Sequence, residues 1–158
     1  MTQIHVHDSR TRHGRVRPLA LAYLRVSTAE QAVHGASLDA QRAALQAEAD
    51  RRGWDVEFVV DEGLSTKNMR RPGLTGALER LDRGEADVLL AIRLDRVSRS
   101  VRDFSELLER AKGKGWRLTL LSPDLDTGDL AGTFMAHVFA ALAEFELAIE
   151  GSTRWGHP

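Results

Sequence analysis

Cysteine is absent from this chain of 158 residues. Its absence excludes a disulfide framework, a cysteine-ligated zinc or iron–sulfur site and a cysteine nucleophile. Long apolar runs are missing too, because stretches such as 88–92 are far too short to cross a bilayer. The first residues also lack the apolar stretch of a secretory signal. We therefore expect a cytoplasmic protein with no membrane partner.

An excess of charge of one sign is also missing, since the net charge is −1 and the pI is about 6.6. Bulk charge therefore gives no indication of a nucleic-acid partner and counts against strong autonomous DNA binding. Lysine is scarce: only three of the 22 basic residues are lysine, and the others are arginine, the better bidentate ligand for phosphate. A general bias towards arginine explains this equally well, so the positions of the arginines matter most.

The order of apolar and polar segments indicates one domain of ordinary composition. Residues 1–18 contain three histidines and four arginines with little apolar content, which predicts a disordered tail. Beyond residue 18 the chain alternates between short apolar segments and helical periodicity. The predicted strands are 19–26, 54–60, 88–92 and 117–121, and the predicted helices are 37–52, 73–83, 101–112 and 131–150. Polar loops are predicted at 61–72 and 122–130.

This alternation predicts an α/β fold, with a mostly parallel sheet of about four strands flanked by helices. We expect a core over residues 19–130, a long helix over 131–150 and a short tail over 151–158. In such sheets the functional residues gather beyond the carboxyl ends of the strands. The ends of the first and third strands are therefore expected to lie side by side.

The predicted helix 131–150 is apolar on more than one side. One apolar stripe is formed by Phe134, Val138, Ala141, Phe145 and Ile149. A second, broader apolar surface is formed by Met135, Phe139, Leu142 and Leu147. A helix with so wide an apolar surface has more to bury than its own domain covers, which indicates self-association. An ordinary wide core face is the alternative interpretation.

Tyr23, Arg25 and Ser27 alternate along the first predicted strand and therefore share one face. A serine next to an arginine at a strand end is a candidate nucleophile beside a ligand for an anion. A strand followed by an ordinary Ser-Thr turn would give the same pattern. These three residues alone leave both interpretations open.

Further arginines follow other strands. Arg96 and Arg99 are three residues apart in the turn after the third strand, where Asp95 can orient one of them, and Arg71 lies in the loop after the second strand. No histidine is placed as a base and no acidic pair suggests a metal site, so we expect no cofactor or metal. Several arginines around one hydroxyl suit phosphoryl transfer to a serine. A generic phosphate-binding domain is the weaker alternative, because no glycine-rich loop follows a strand.

The spaced motifs resemble those of the serine site-specific recombinases, the resolvase/invertase family. They are YLRVST at 23–28, SLDAQ at 37–41, DEGLS at 61–65, RPGL at 71–74 and LDRVSR at 94–99. The resemblance extends from residue 19 to about residue 146, and its pattern is closest to the large serine integrases. It implies that Ser27 attacks a DNA phosphodiester and becomes joined to the 5′ phosphate, with no metal or nucleotide required.

The resemblance also implies roles for the other residues. The arginines around the scissile phosphate would be Arg25, Arg71, Arg96 and Arg99, with Asp95 in the same cluster and Tyr23 beside the nucleophile. Polar residues lining the site would be Gln31, Gln41, Asp61 and Ser65. The helix 131–150 would form a homodimer or homotetramer.

The sequence departs from the family pattern after Glu146. Leu147 stands where an arginine is expected, a Glu-Arg pair is missing, and Gly151 weakens a helix by about 1 kcal/mol relative to alanine. No DNA-binding domain of the family type follows before Pro158. We therefore expect this chain alone to bind DNA weakly and to recombine it little or not at all. A truncated, non-catalytic oligomerisation module is the alternative function.

Overall fold

The computed structural model describes residues 14–26, 28–62, 71–122 and 124–155. Strands and helices alternate through most of this part of the chain. The strands are β1 (Leu19–Val26), β2 (Asp55–Glu62), β3 (Val88–Arg93), β4 (Arg117–Ser122) and β5 (Leu125–Asp126). The helices are α1 (Thr28–Arg52), α2 (Pro72–Asp82), α3 (Leu94–Val97), α4 (Val101–Lys114) and α5 (Leu130–Trp155). Within these ranges, no helix is both long and apolar enough to cross a membrane.

The strands form one sheet in the order β2-β1-β3-β4-β5. The first four are parallel, and β5 runs antiparallel to β4. The strand first in sequence is therefore central, with β2 on one side and β3 on the other. The strand order reverses between β1 and β3, and at such a point the carboxyl ends of the strands open a crevice. The prediction that the ends of the first and third strands are neighbours is confirmed.

Several elements differ from the sequence prediction: α3 is additional, and α5 continues to Trp155, although a tail is predicted from residue 151. The sheet has five strands rather than about four, because the predicted loop 122–130 contains the two-residue strand β5, which is too short to show periodicity. Helix α1 begins at Thr28, well before the predicted start at residue 37. Ser37 resembles a helix cap, but the residues before it are mostly good helix formers, and the helix continues through Gly35.

Strand β1 is buried on both faces. Ala22 and Leu24 point into the cluster beneath α1, whereas Leu21 and Tyr23 point into the cluster formed with α2 and α4. A parallel strand covered on both sides reads as a nearly continuous apolar run, which is how it could be recognised from the sequence. Its two helical layers therefore fix β1, and with it the position of Arg25 near its end.

Helix α5 uses part of its apolar surface within its own domain. Phe139 packs edge-to-face on Phe104 of α4, with 4.9 Å between ring centroids, and Met135 packs on the same core. These two residues are therefore not the free second surface that the sequence predicts, because α4 covers them. Phe134 and Phe145 remain 67% and 63% exposed.

The segment before β1 contacts the beginning of the sheet. Arg15 Nη2 donates to Asp87 Oδ2 at 3.0 Å, and the Leu19 N–H donates to the same oxygen at 2.8 Å. Arg17 Nε donates to the Gly53 carbonyl at 2.9 Å. The sequence assigns everything up to residue 18 to a tail, yet these two arginines bind the core. Periodicity does not reveal contacts made by polar residues before a strand.

A clamp centred on Asp126 joins β5 to the end of α1. Arg117 Nε and Arg52 Nη1 donate to its carboxylate at 2.8 and 2.6 Å, and both guanidinium groups lie over the ring of Trp54. Although burial opposes it, the hydrogen bonds from Arg117 and from the Gly128 N–H hold the pKa of Asp126 below its ordinary value. The clamp therefore fixes the turn that leads into α5.

Gly132 provides a test of how closely α5 approaches this turn. A Cβ atom at Gly132 would overlap the backbone carbonyl of Asp126, which the clamp holds in place. We predict that Gly132→Ala lowers the free energy of unfolding by about 1–3 kcal/mol, as measured by urea denaturation. Gly113→Ala is the matched control, because a Cβ there meets nothing within 4 Å and alanine favours the helix by about 1 kcal/mol. Equal effects of the two substitutions would contradict the close approach.

Candidate active site

Three arginines meet where β1 and β3 end. Arg25 is near the end of β1, and α3 follows β3 immediately, which brings Arg96 beside it. Arg96 Nη1 donates to the Arg25 carbonyl at 3.0 Å. Arg71, the residue before α2, places its Nη1 3.5 Å from the Arg96 carbonyl. The end of β1, α3 and the start of α2 are thus linked in series by bonds from guanidinium groups to carbonyl oxygens.

The bond from Arg71 orients its guanidinium group without neutralising it, because a carbonyl carries no formal charge. Arg71 is only 9% exposed, and its Nη2 is buried without a hydrogen-bond partner among the described residues. Burial, followed by the positive charges of Arg25 and Arg99, lowers the pKa of Arg71. Arginine nevertheless stays protonated in proteins. Arg71 therefore carries a buried positive charge, close to Arg25 and Arg99, that an anion would relieve.

Several arginines elsewhere in the described chain pair with acidic side chains. Arg80 forms two hydrogen bonds with Glu57, at 2.7 and 2.9 Å. Arg110 also pairs with an acid, because its Nε and Nη2 lie 2.8 and 2.6 Å from Asp82 Oδ2. Arg71 forms no ion pair with any described residue, although it is more buried than either of them. This contrast sets the cluster apart from ordinary surface pairing.

A buried carboxylate supports the cluster from behind. Tyr23 Oη donates to Asp61 Oδ2 at 2.7 Å, and the N–H groups of Gly73 and Leu74 donate to the two carboxylate oxygens at 2.8 and 3.1 Å. Glycine is required at residue 73, because a Cβ there would crowd the Asp61 carboxylate. Asp61 thereby binds the first turn of α2 and, through it, the adjacent Arg71.

Tyr23 is fully buried, and its hydroxyl is occupied by Asp61. Burial, and then the hydrogen bond to Asp61, raises the pKa of Tyr23 well above its ordinary value. The phenol therefore stays neutral at physiological pH. It serves as a fixed hydrogen-bond donor and does not supply a charged base.

A cleft of roughly 540 Å³ opens between α2 and α4. Arg71 and Arg99 both line it, together with the apolar Leu74 and Leu78 and the acidic Asp103. Its volume is in the range of sites that hold small ligands. Arg99 therefore faces the same space as Arg71, although it comes from a different element.

The structure brings together most of the described residues that the sequence singles out. Hydrogen bonds connect Tyr23 with Asp61 and Arg25 with Arg96 and Arg71. Gln41 is half-buried on α1 and makes no hydrogen bond to this cluster within the described ranges. Three predicted site residues cannot be placed: Ser27, Ser65 and the side chain of Gln31 lie outside the described residues. Ser27 directly follows β1 in the sequence.

Asp95 is placed away from the role expected of it. Its carboxylate pairs with Arg93 at 3.2 Å, and both side chains are more than half exposed. Asp103, which the sequence analysis did not select, instead accepts the backbone N–H of Arg99 at 3.2 Å. The signal was available: Ser100-x-x-Asp103 before Phe104 is the pattern of a helix start with reciprocal caps.

Among the described residues, no three acidic or histidine side chains cluster as metal ligands do.

Comparisons with known proteins agree on one family. Residues 20–154 match the family model described as "Resolvase, N terminal domain". A DNA-invertase of Escherichia phage P1 is 35% identical over 128 residues, which cover 81% of this chain and 62% of the invertase. The chain thus spans about three fifths of the length of that curated relative.

Solved structures give the same result. The N-terminal catalytic domain of TP901-1 integrase aligns with a TM-score of 0.71 and 30% identity, covering 84% of this chain and 98% of that domain. A resolvase family site-specific recombinase from Streptococcus pneumoniae aligns with a TM-score of 0.73 and 27% identity, covering 89% and 95% of the two chains.

Asp61 offers a direct test of the support behind the arginines. We predict that Asp61→Asn lowers the free energy of unfolding by about 2–4 kcal/mol, because an amide NH₂ must then face a backbone N–H donor. Tyr23→Phe removes one donor and leaves the two N–H bonds, so it should cost less, about 1–2 kcal/mol. Urea denaturation of both variants measures the difference. An Asp61→Asn variant as stable as the wild type would show that the carboxylate does not hold α2.

Proposed function

Because the chain belongs to the resolvase N-terminal domain family, we propose that it is the catalytic domain of a site-specific DNA recombinase. In this proposal it cuts and rejoins DNA through a covalent bond between Ser27 and a 5′ phosphate. The family acts in DNA recombination. This activity is consistent with the expected cytoplasmic location. The covalent chemistry, the substrate and the partners of the whole protein are parts of the proposal.

The observation that carries the proposal is the arginine cluster at the end of β1. Arg96 and Arg71 donate to the main-chain carbonyls of Arg25 and Arg96, and Arg71 retains a buried N–H group with no partner among the described residues. Phosphoryl transfer builds negative charge on the oxygens of phosphorus, and preorganised cations in a dry site stabilise it. Ser27 directly follows the last residue of β1 in the sequence, two residues after Arg25. The proposed nucleophile is therefore close in the chain to one of the arginines.

The proposed reaction exchanges one phosphate ester for another. Ser27 Oγ forms a bond to phosphorus as the bond from phosphorus to the DNA 3′ oxygen breaks. The serine proton leaves, and the 3′ oxygen departs with its electron pair and gains a proton. Rejoining is the reverse step, in which a 3′ hydroxyl attacks the phosphoserine. The number of phosphate ester bonds is unchanged, so no nucleotide hydrolysis is needed.

The remaining residues take supporting roles. Arg99 would contact the phosphate from the α4 side of the cleft, and Tyr23 and Asp61 would hold α2 in place behind it. We keep the family-implied roles of Gln31, Gln41 and Ser65 as polar residues lining the site. Asp95 would have to exchange its pairing with Arg93 to join the cluster when DNA binds.

A non-catalytic oligomerisation module is the second candidate, and the cluster argues against it. Holding several like charges together and burying part of a guanidinium group opposes folding. A module that serves only for association gains nothing from that arrangement. An anion-binding catalytic site gives it a purpose.

We further propose that the chain forms a homodimer or homotetramer through α5. Phe134 and Phe145 are mostly exposed on this helix, and Leu142 and Ile149 are 45% and 47% exposed. An exposed apolar patch of this kind is typical of an interaction surface. A second copy of the chain is the proposed occupant, because the matched family includes recombinases that join two DNA sites.

The nucleophile is tested with the chain fused at its carboxyl end to a sequence-specific DNA-binding domain. The substrate is a pool of duplexes, randomised beside the binding site, with a bridging sulfur in place of the 3′ oxygen so that rejoining is slow. We expect a denaturation-resistant protein–DNA adduct, with the DNA mapped to Ser27 by peptide mass spectrometry. Ser27→Ala should abolish the adduct, since no other hydroxyl takes its place.

Thr28→Ala is the matched control, because it removes the neighbouring hydroxyl and leaves the serine. An adduct that survives Ser27→Ala, or one lost equally in Thr28→Ala, would contradict the assignment of Ser27. A wild-type fusion that binds the duplexes but forms no adduct would contradict the catalytic proposal itself.

The α5 interface is tested by sedimentation velocity at tens of micromolar. Phe134→Glu with Phe145→Glu should convert the oligomer to a monomer, because two charges would have to be buried in an apolar contact. Phe139→Leu is the control, since that residue packs on Phe104 inside the domain and should leave association unchanged. A wild-type chain that remains monomeric over this range would refute the interface.

A further inference from the structure

We propose that Asp103 is a positioning residue of the proposed reaction, which binds the main chain of Arg99 and so fixes the side chain of Arg99 in the cleft. This inference rests on the proposed function, because it assigns the carboxylate that organises the α4 side of the same site. Sequence reasoning places Asp95 in that role, whereas the contacts of the described residues favour Asp103.

Arg99 lies in the irregular segment between α3 and α4. Its N–H donates to Asp103 Oδ2 at 3.2 Å, and the Asp103 N–H donates to Ser100 Oγ at 3.0 Å. Asp103 is itself held by α4, because the next residue, Phe104, is fully buried in the core. The carboxylate therefore transmits the fixed position of α4 to the main chain of Arg99.

The bond differs from an ordinary helix cap. In a capping box the acidic residue in the first turn accepts the backbone N–H of the cap residue itself. Here the cap residue is Ser100, and the carboxylate of Asp103 reaches one residue further back, to Arg99. The side chain of Ser100 caps α4 by itself. The carboxylate bond is therefore not needed for the cap, and its effect is to fix the main chain of Arg99.

A second carboxylate acts in the same way on the opposite wall of the cleft. Asp61 accepts the N–H groups of Gly73 and Leu74, two and three residues after Arg71, and Asp103 accepts the N–H of Arg99 itself. In both cases the carboxylate bond goes to the main chain. Asp103 also favours the charged form of Arg71 through its own negative charge. On each wall of the cleft, a carboxylate thus holds the main chain at or near an arginine, and the two carboxylates come from separate parts of the sequence.

Three variants separate positioning from helix stability. Asp103→Ala removes the acceptor, Asp103→Asn keeps an oxygen that can accept the Arg99 N–H, and Ser100→Ala removes the helix cap while keeping the carboxylate. Both alanine variants should lower the melting temperature, because each removes one hydrogen bond at the start of α4. Amide hydrogen exchange at Arg99, followed by NMR in the unfused chain, reports the bond directly.

We expect Asp103→Ala to speed exchange at Arg99 about tenfold and to lower the single-turnover rate of adduct formation by the fused chain about tenfold or more, since a displaced catalytic group is costly. Asp103→Asn should stay within about threefold of wild type in both measurements. Ser100→Ala should leave exchange at Arg99 nearly unchanged and lower the rate less than Asp103→Ala does at a similar melting temperature.

Two results would overturn the inference: equal rates for Asp103→Ala and Ser100→Ala, or an Asp103→Asn variant no better than alanine. If the wild-type fusion forms no adduct at all, the proposed function fails while the exchange measurement still decides the role of Asp103. In that case, exchange at Arg99 that does not change in Asp103→Ala refutes the inference on its own.

Discussion

The buried carboxylate of Asp61 is the contact on which the arrangement of the site depends. It lies one residue before the end of β2, receives a hydrogen bond from Tyr23 in β1 and receives two more from the first turn of α2. A carboxylate that is 4% exposed is tolerated only when its oxygens are fully hydrogen-bonded. Because three donors are supplied, the carboxylate joins two strands and a helix at one point. Arg71 precedes that helix and inherits its position.

The arginine cluster shows why overall charge is a poor guide to local chemistry. The chain is close to neutral, yet Arg71 is buried beside other cations and binds a carbonyl instead of an acid. The carbonyl acceptor orients the guanidinium group of Arg71 and leaves its charge in place. The acidic residues act instead on the main chain around the cluster. A salt bridge both orients a guanidinium group and neutralises its charge. At Arg71 the hydrogen bond to a carbonyl provides only the orientation.

Much of the fold and part of the site follow from local sequence. β1 is an apolar run, Tyr23 and Arg25 share a face by alternation, and the neighbouring ends of β1 and β3 follow from parallel pairing. Contacts between distant segments do not follow, because no local pattern records them. Asp61 looks like a polar loop residue until Gly73 and Leu74 fold onto it.

The errors have similar causes. The two residues of β5 are too few to show a period, and they form a strand because Asp126 is clamped by Arg52 and Arg117. Met135 and Phe139 are as apolar as the exposed Phe134 and Phe145, so the sequence does not reveal which stripe of α5 packs on its own domain, and only the packing against α4 does. A role for Asp103 at the start of α4 could have been predicted, because its capping pattern is local. Its bond to Arg99, one residue before the cap, is visible only in the structure.

The central position of β1 has a consequence for how the chain is made. β1 is synthesised first among the strands, yet it pairs with both β2 and β3, and the second of these ends at Arg93. Until then a growing chain carries an apolar strand with at least one open edge, and such edges promote aggregation. Four arginines, at residues 10, 12, 15 and 17, directly precede this strand. Like charges beside an apolar segment act against aggregation, so these arginines would keep growing chains apart until β3 has been made.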